Sequence, residues 1–364
     1  MNTGNLDRAM GELFGEAPFE LTALGLYFHR DKPPASLRAV EALLVRDAPV
    51  RVMDFNNDAS LLNENVVPGD QADPAEYEGV GGSGAHRVFR VDHHYDVPSL
   101  AHTTTTCLTL RWLRGLWNCG AREVLRAVAR SRYVANHADT DILLANHLAG
   151  VADERDVIFG AGADWFAAAS LRNDHIETRG LGPEAQRVFY ACLGIEDEIL
   201  TGTLSFEEAQ RSYLPQLCSW IAGDGRVDVA AKLDALEREM RDKEKRTLDE
   251  IAACESRGGL KRELGDRLVV CEMERKIDNA DLYLYLSRGE RRPVVQALIY
   301  PGSEGLKVKL RSHGGFDLNP LFRRLNELMP RGCFGGRASA GGSNSLEELD
   351  REQLIGAVRS VLPA

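Results

Sequence analysis

Within the first 150 residues, short β-favouring runs alternate with helix-spaced segments, and the runs stop on acids and imidazoles. An apolar run over 21–29 (Leu21, Leu24, Leu26, Tyr27, Phe28) ends on His29. Val50-Arg51-Val52-Met53 ends on Asp54, and Val88-Phe89-Arg90-Val91 ends on Asp92-His93-His94. A further acid run, Asn136-His137-Ala138-Asp139-Thr140-Asp141, follows an amphipathic helix expected over 122–133. Between the runs, 35–45 (Leu37, Val40, Leu43, Leu44) and 103–113 have helical spacing, the second behind an N-capping hydroxyl. Strand–helix–strand alternation builds a parallel sheet, and such sheets present side chains to ligands at the carboxyl ends of their strands.

The later chain reads differently. Residues 59–85 are loop-like, and Gly79-Val80-Gly81-Gly82-Ser83-Gly84 reads as flexible because no GxxxxGK[ST] pattern accompanies it. Helical spacing fills 161–171, 184–193, 206–221 and 227–240, and the alternating charges of 236–255 describe a solvated connecting helix. Strand patterns return over 266–271, 281–286, 293–300 and 306–311, with helices over 319–328 and 346–362. The glycine run Gly335-Gly336-Arg337-Ala338-Ser339-Ala340-Gly341-Gly342 lies between those two helices. The expected fold is α/β. A parallel-sheet N-terminal domain covers 1–150, a helical connector or insert 151–260, and a smaller mixed-sheet α/β C-terminal domain 261–364.

Charge and cysteine usage exclude several classes. A net charge of −11 repels long nucleic acid, while a small phosphorylated substrate is compatible if a bound cation supplies local positive charge. Short nucleic acid and a homodimer are left open. The seven cysteines stand singly, with no CxxC pair, which argues against zinc–thiolate and disulfide frameworks and fits a reducing cytoplasm. No apolar run reaches the roughly 18 residues of a membrane span, and residues 1–8 lack the basic-then-apolar pattern of a secretory signal. His86, His102, His175 and His313 read as surface or packing residues, and the four tryptophans as core. His147 is a weak site candidate.

Carboxylate together with neutral imidazole suits Mn²⁺, Fe²⁺ or Zn²⁺. Asp92-His93-His94 after a strand resembles the signature of the DHH phosphoesterase superfamily, which includes pyrophosphatases, exopolyphosphatases, single-strand exonucleases and dinucleotide phosphodiesterases. The order of the strand ends is similar too. The resemblance implies that Asp54 bridges two metals, that His93 is a ligand and His94 faces substrate, and that Asp139 of an Asp-Thr pair adds another ligand. It also implies a C-terminal substrate-binding glycine loop, similar to Gly335, Gly336, Gly341 and Gly342 with Arg337, and a substrate-contacting arginine similar to Arg311.

The first motif departs from the pattern. His29 is present, but Pro33 and Ala35 stand where the superfamily has two aspartates. Either Asp31 shifts in, or His137 and Asp141 beside Asp139 replace the lost ligands. That replacement works if the run is extended, where alternate residues share a face, and fails on a helix. The function implied is metal-dependent hydrolysis of a small, nucleotide-like phosphoester or phosphoanhydride, with Mn²⁺ in one or two sites. Asp92, His93 and His94 then lie at the chemistry, and Asp54, Asp139, His29, Asp31, His137 and Asp141 are the ligand candidates. Two alternatives stay open: a nucleotide- or phosphate-binding regulator that has lost catalysis, and a single-metal enzyme of altered chemistry.

Overall fold

The structure is a computed structural model that describes residues 19–28, 38, 41–42, 44–45, 48–55, 78–83, 87–94, 100, 102–176, 181–288, 292–302, 305–336, 338–344 and 346–362. The chain divides into two compact units, Met1–Met240 and Arg241–Ala364. Among the described residues no helix is long and apolar enough to cross a membrane.

The first unit holds a six-stranded sheet of β1 (Phe19–Leu21), β2 (Gly25–Phe28), β3 (Val50–Met53), β4 (Val80–Ser83), β5 (Val88–Val91) and β6 (Arg132–Ala135). The spatial order is β1-β2-β6-β3-β5-β4. The central four strands are parallel, and β1 and β4 close the edges antiparallel. Both faces are covered, which is why β2, β3 and β5 read as nearly continuous apolar runs. Tyr27, Met53, Phe89, Val91 and Tyr133 join the large helical core on one side. Leu26, Phe28, Val50, Val52 and Val134 pack on the other with Leu44 and Phe55.

Two expectations change here. The helix expected over 122–133 stops at Ala129, and Arg132-Tyr133-Val134-Ala135 is β6, inserted between β2 and β3. Its β-favouring residues were hidden by the helical spacing before them. The glycine run at 79–84 contains edge strand β4 rather than a flexible loop. Its Gly82 has φ +128°, and a Cβ there would lie 2.0 Å from the Val88 carbonyl oxygen, so close strand pairing demands glycine.

Helices α1 (Thr105–Asn118), α2 (Arg122–Ala129), α3 (Thr140–Gly150), α4 (Arg155–Ile158), α5 (Ala161–His175) and α6 (Pro183–Leu200) follow. A short helical stretch over 206–216 leads to α7 (Leu217–Ala222) and the 30-residue α8 (Val227–Ser256). The helices up to Met240 contribute to the core that covers the first sheet. Arg51 fastens α3 to β3: its Nε donates to Asn146 Oδ1 at 3.2 Å, and another guanidinium N–H bonds the Ser131 carbonyl. Trp112 is fully buried, Trp220 nearly so, and Trp117 and Trp165 pack against the same core.

The second unit has a mixed sheet of β7 (Leu260–Glu263), β8 (Leu268–Glu272), β9 (Val295–Gly302), β10 (Gly305–Ser312), β11 (Gly335–Gly336) and β12 (Ala340–Gly342), in the order β11-β12-β10-β9-β8-β7. Helices α9 (Asn279–Ser287), α10 (Asn319–Leu328) and α11 (Arg351–Val361) accompany it. The strand expected over 281–286 is α9. Its Leu-Tyr alternation imitates a strand, but Asp278 caps the first turn by accepting the Ala280 N–H at 2.9 Å.

Candidate metal centre

The strand order sets β6, β3 and β5 side by side, so three acid-bearing strand ends become neighbours. Asp54 follows the middle strand. Its N–H donates to the Val91 carbonyl at 2.8 Å, its φ is +51°, and it is 2% exposed. A left-handed, buried aspartate is an uncommon conformation that the pairing of β3 with β5 maintains.

At the end of β5, Asp92 Oδ1 accepts the His94 backbone N–H at 2.8 Å and faces His94 Nδ1 at 2.9 Å. The same Nδ1 stands 2.6 Å from Asp54 Oδ1. His93 stacks on His94, with ring centroids 4.2 Å apart. His93 Nδ1 lies 3.3 Å from Thr105 Oγ1, 3.4 Å from Asp141 Oδ2 and 3.9 Å from Asp54 Oδ1.

The run after β6 splits as chain conformation requires. Residues 136–139 are non-helical, and there His137 Nε2 lies 3.8 Å from both Asp54 Oδ2 and Asp139 Oδ2. Asp139 caps α3 through Oδ1, which accepts the Ile142 N–H at 2.9 Å. Asp141 already belongs to α3 and diverges from that pair. Fully buried, it accepts the N–H groups of Thr105 and Thr106 at 2.7 Å each, capping α1. The extended-segment condition therefore holds for His137 with Asp139 and fails for Asp141, which meets His93 instead.

Asp174, in the last turn of α5, was missed by sequence reasoning. Its Oδ2 lies 3.4 Å from His93 Nε2. Only the polar run Arg172-Asn173-Asp174-His175 at the end of α5 hinted at it. His175 is tied down by its Nε2, 2.7 Å from the Thr103 carbonyl oxygen.

Three donor groups result: Asp54–His93–His94, Asp54–His137–Asp139 and His93–Asp141–Asp174, each with ligand atoms within 4.8 Å of one another. Asp54 belongs to two of them, and so does His93. Buried Asp54 Oδ1 and His93 Nε2 have no aligned hydrogen-bond partner among the described residues despite their close neighbours. Buried polar atoms of this kind call for an account, and a divalent cation bound by N and O donors fits them.

The electrostatics point the same way. Burial alone would raise the Asp54 carboxyl, but His94, His137 and His93 hold it well below the usual carboxylate range. Burial opposes charge on His94, yet Asp54 and Asp92 push it up to about 10. Burial raises Asp139, with Asp54 and Asp141 adding to it against His137. Burial followed by Asp141 and Asp139 raises Asp174 well above the ordinary range.

His29, Asp31 and Arg337 lie outside the described residues. His147 is buried against Phe166, belongs to none of the three donor groups, and burial followed by Arg51 lowers it to about 4. In the second unit, Gly335 pairs with Gly342 and Gly336 with Gly341, while Arg311 pairs with Ala340 and its guanidinium lies over the Tyr283 ring at 5.3 Å. A Cβ on Gly341 would lie 2.3 Å from the Gly335 carbonyl oxygen, so this hairpin itself requires glycine there.

No family model matches the chain. No curated protein matches it either. Among solved structures it is similar to an exonuclease RecJ bound to manganese, at 16% identity and TM-score 0.38, over 89% of this chain and 78% of that one. A pGpG-specific phosphodiesterase, PggH, from Vibrio cholerae is similar at 13% identity and TM-score 0.34, over 86% of this chain and 99% of that one. An exopolyphosphatase-related protein from Bacteroides fragilis is similar at 12% identity and TM-score 0.29, over 70% of this chain and 78% of that one. These are distant likenesses, and the chemistry of the site rests on its own donor geometry.

Proposed function

We propose that this chain is a metal-dependent hydrolase of a phosphoester or phosphoanhydride in a small, nucleotide-like substrate. The observation that carries the reading is the sharing of buried Asp54 between two donor groups built from three adjacent strand ends. Asp54, His137 and Asp139 are assigned as the principal ligands of one cation, and His93 as a further ligand of the centre. A divalent cation bound there, Mn²⁺ in this reading, would supply an acidified water and neutralise charge on phosphoryl oxygens.

The chain's own residues do the rest. Asp92 fixes the His94 ring through Nδ1, and the carboxylates around it keep that imidazole protonated at neutral pH. His94 is assigned the role of proton donor to a phosphoryl oxygen or leaving group, through Nε2. Asp139 holds its Oδ1 in the α3 cap and leaves Oδ2 as its ligand oxygen. To phosphate binding by the second unit we assign Arg311, Arg337 and Gly335, Gly336, Gly341 and Gly342, since arginine binds phosphate through paired N–H groups. Arg337→Ala is expected to raise KM more than it lowers kcat; a pure kcat loss would move Arg337 into the chemistry.

Pro33 and Ala35 favour a second reading, in which the chain binds a nucleotide or phosphate without hydrolysing it, or works with one metal. Metal analysis of the purified chain separates these, paired with a Mn²⁺-dependent screen of bis-(p-nitrophenyl) phosphate, pyrophosphate, short oligonucleotides and cyclic dinucleotides. Metal uptake with turnover of one substrate class supports the hydrolase. No metal and no turnover would refute it and leave ligand binding.

A further inference from the structure

We propose that His93, Asp141 and Asp174 hold a second divalent cation, with Asp174 of α5 supplying the carboxylate that Pro33 and Ala35 cannot. The proposal rests on the reading of the cluster as a metal centre, and it places one ligand outside every motif that the sequence offers for the site.

Four observations carry it. First, His93 is 7% exposed, and its Nε2 has no hydrogen-bond partner among the described residues. That nitrogen is aimed at Asp174 Oδ2, 3.4 Å away. The distance is long for a direct hydrogen bond, and the pair of ligand atoms suits an ion held between them. Second, Asp174 sits in the last turn of α5, at the negative end of the helix, where a cation is favoured. Third, Asp141 uses one lone pair on each oxygen to cap α1, and a carboxylate oxygen has a second lone pair to offer. Fourth, the geometry is held in advance. Ser170 and Thr104 share a hydroxyl hydrogen bond at 2.7 Å, and His175 Nε2 meets the Thr103 carbonyl at 2.7 Å. The end of α5 is thus fixed to the segment that opens α1, and Asp174 needs no rearrangement to ligate.

A bland alternative exists: a protonated Asp174 that merely packs beside His93. Asparagine would mimic that state and leave metal binding intact, which gives the test its contrast.

The full-length chain is stripped with a chelator and titrated with Mn²⁺, free ion being read by electron paramagnetic resonance. Wild type is expected to bind about two cations per chain, Asp174→Asn about one, and Asp174→Glu about two again. An Asp174→Asn chain that still binds the wild-type number overturns the proposal, and so does a wild type that binds only one. A wild type that binds none overturns the metal-centre reading itself. If Asp174→Asn does not fold, anomalous scattering from Mn²⁺-soaked wild-type crystals decides. A peak bridging Asp174 and His93 supports the site; its absence there, with a peak at Asp54, overturns it.

Discussion

Asp141 should stabilise the fold even with every metal removed. Both of its oxygens accept buried backbone N–H groups at the start of α1, from Thr105 and Thr106, at 2.7 Å each. Asp141→Asn keeps one acceptor and turns an NH₂ group toward the other N–H. One charge-assisted bond is then lost and a buried donor is left unpaired, a cost of about 1.5–3 kcal/mol. Relief of repulsion among the clustered acids acts the other way. A carboxylate pair about 5 Å apart repels by roughly 3 kcal/mol at an effective dielectric constant near 20. Burial and then Asp141 raise the Asp174 carboxyl well above the ordinary range, which favours its neutral form and reduces the repulsion that Asp141→Asn would relieve. The net effect is a destabilisation of about 1.5–3 kcal/mol. For a unit the size of Met1–Met240 this lowers Tm by roughly 3–12 °C. Thermal or urea unfolding in excess EDTA, wild type against Asp141→Asn, measures it. A variant as stable as wild type would refute the capping argument and make Asp141 a ligand alone.

Three further outcomes are expected. Asp54→Asn should abolish hydrolysis and weaken Mn²⁺ uptake; an active variant would remove Asp54 from the centre. Gly341→Ala should cost about 1–3 kcal/mol, because its Cβ would lie 2.3 Å from the Gly335 oxygen and 2.5 Å from the Phe322 ring; unchanged unfolding would show that the hairpin yields. His147, lowered from 6.5 to about 4 by burial and then by Arg51, binds fewer protons folded than unfolded between those values. Stability should therefore fall by about 3 kcal/mol as pH drops from 6.5 towards 4, and a His147→Gln chain with the same pH slope as wild type would exclude this residue as the cause.

Parts of the site are legible in the sequence because they obey local rules. Val50–Met53 and Val88–Val91 are short apolar runs, and a chain leaving such a strand must place its next polar residues at the sheet edge, hence Asp54 and Asp92-His93-His94. The N-capping hydroxyl before α1 appears as Thr104, which accepts the Cys107 N–H at 3.1 Å. The errors also have local causes. In β6, Arg132 and Tyr133 follow a helical pattern closely enough to be absorbed by it, and in α9 Leu and Tyr alternate as in a strand. Tertiary pairing and a cap decide both.

The sequence by itself determined which strand ends carry acids and imidazoles, since period, turn residues and caps act over a few positions. Tertiary structure alone decided that β6, β3 and β5 are neighbours, which makes Asp54 common to two donor groups. It also decided that Asp141 turns with α3 towards His93, and that the end of α5, more than 30 residues further on, delivers Asp174 to the same imidazole. These are contacts between segments distant in sequence. No local periodicity encodes them, because they depend on how helices pack once both faces of the sheet are buried.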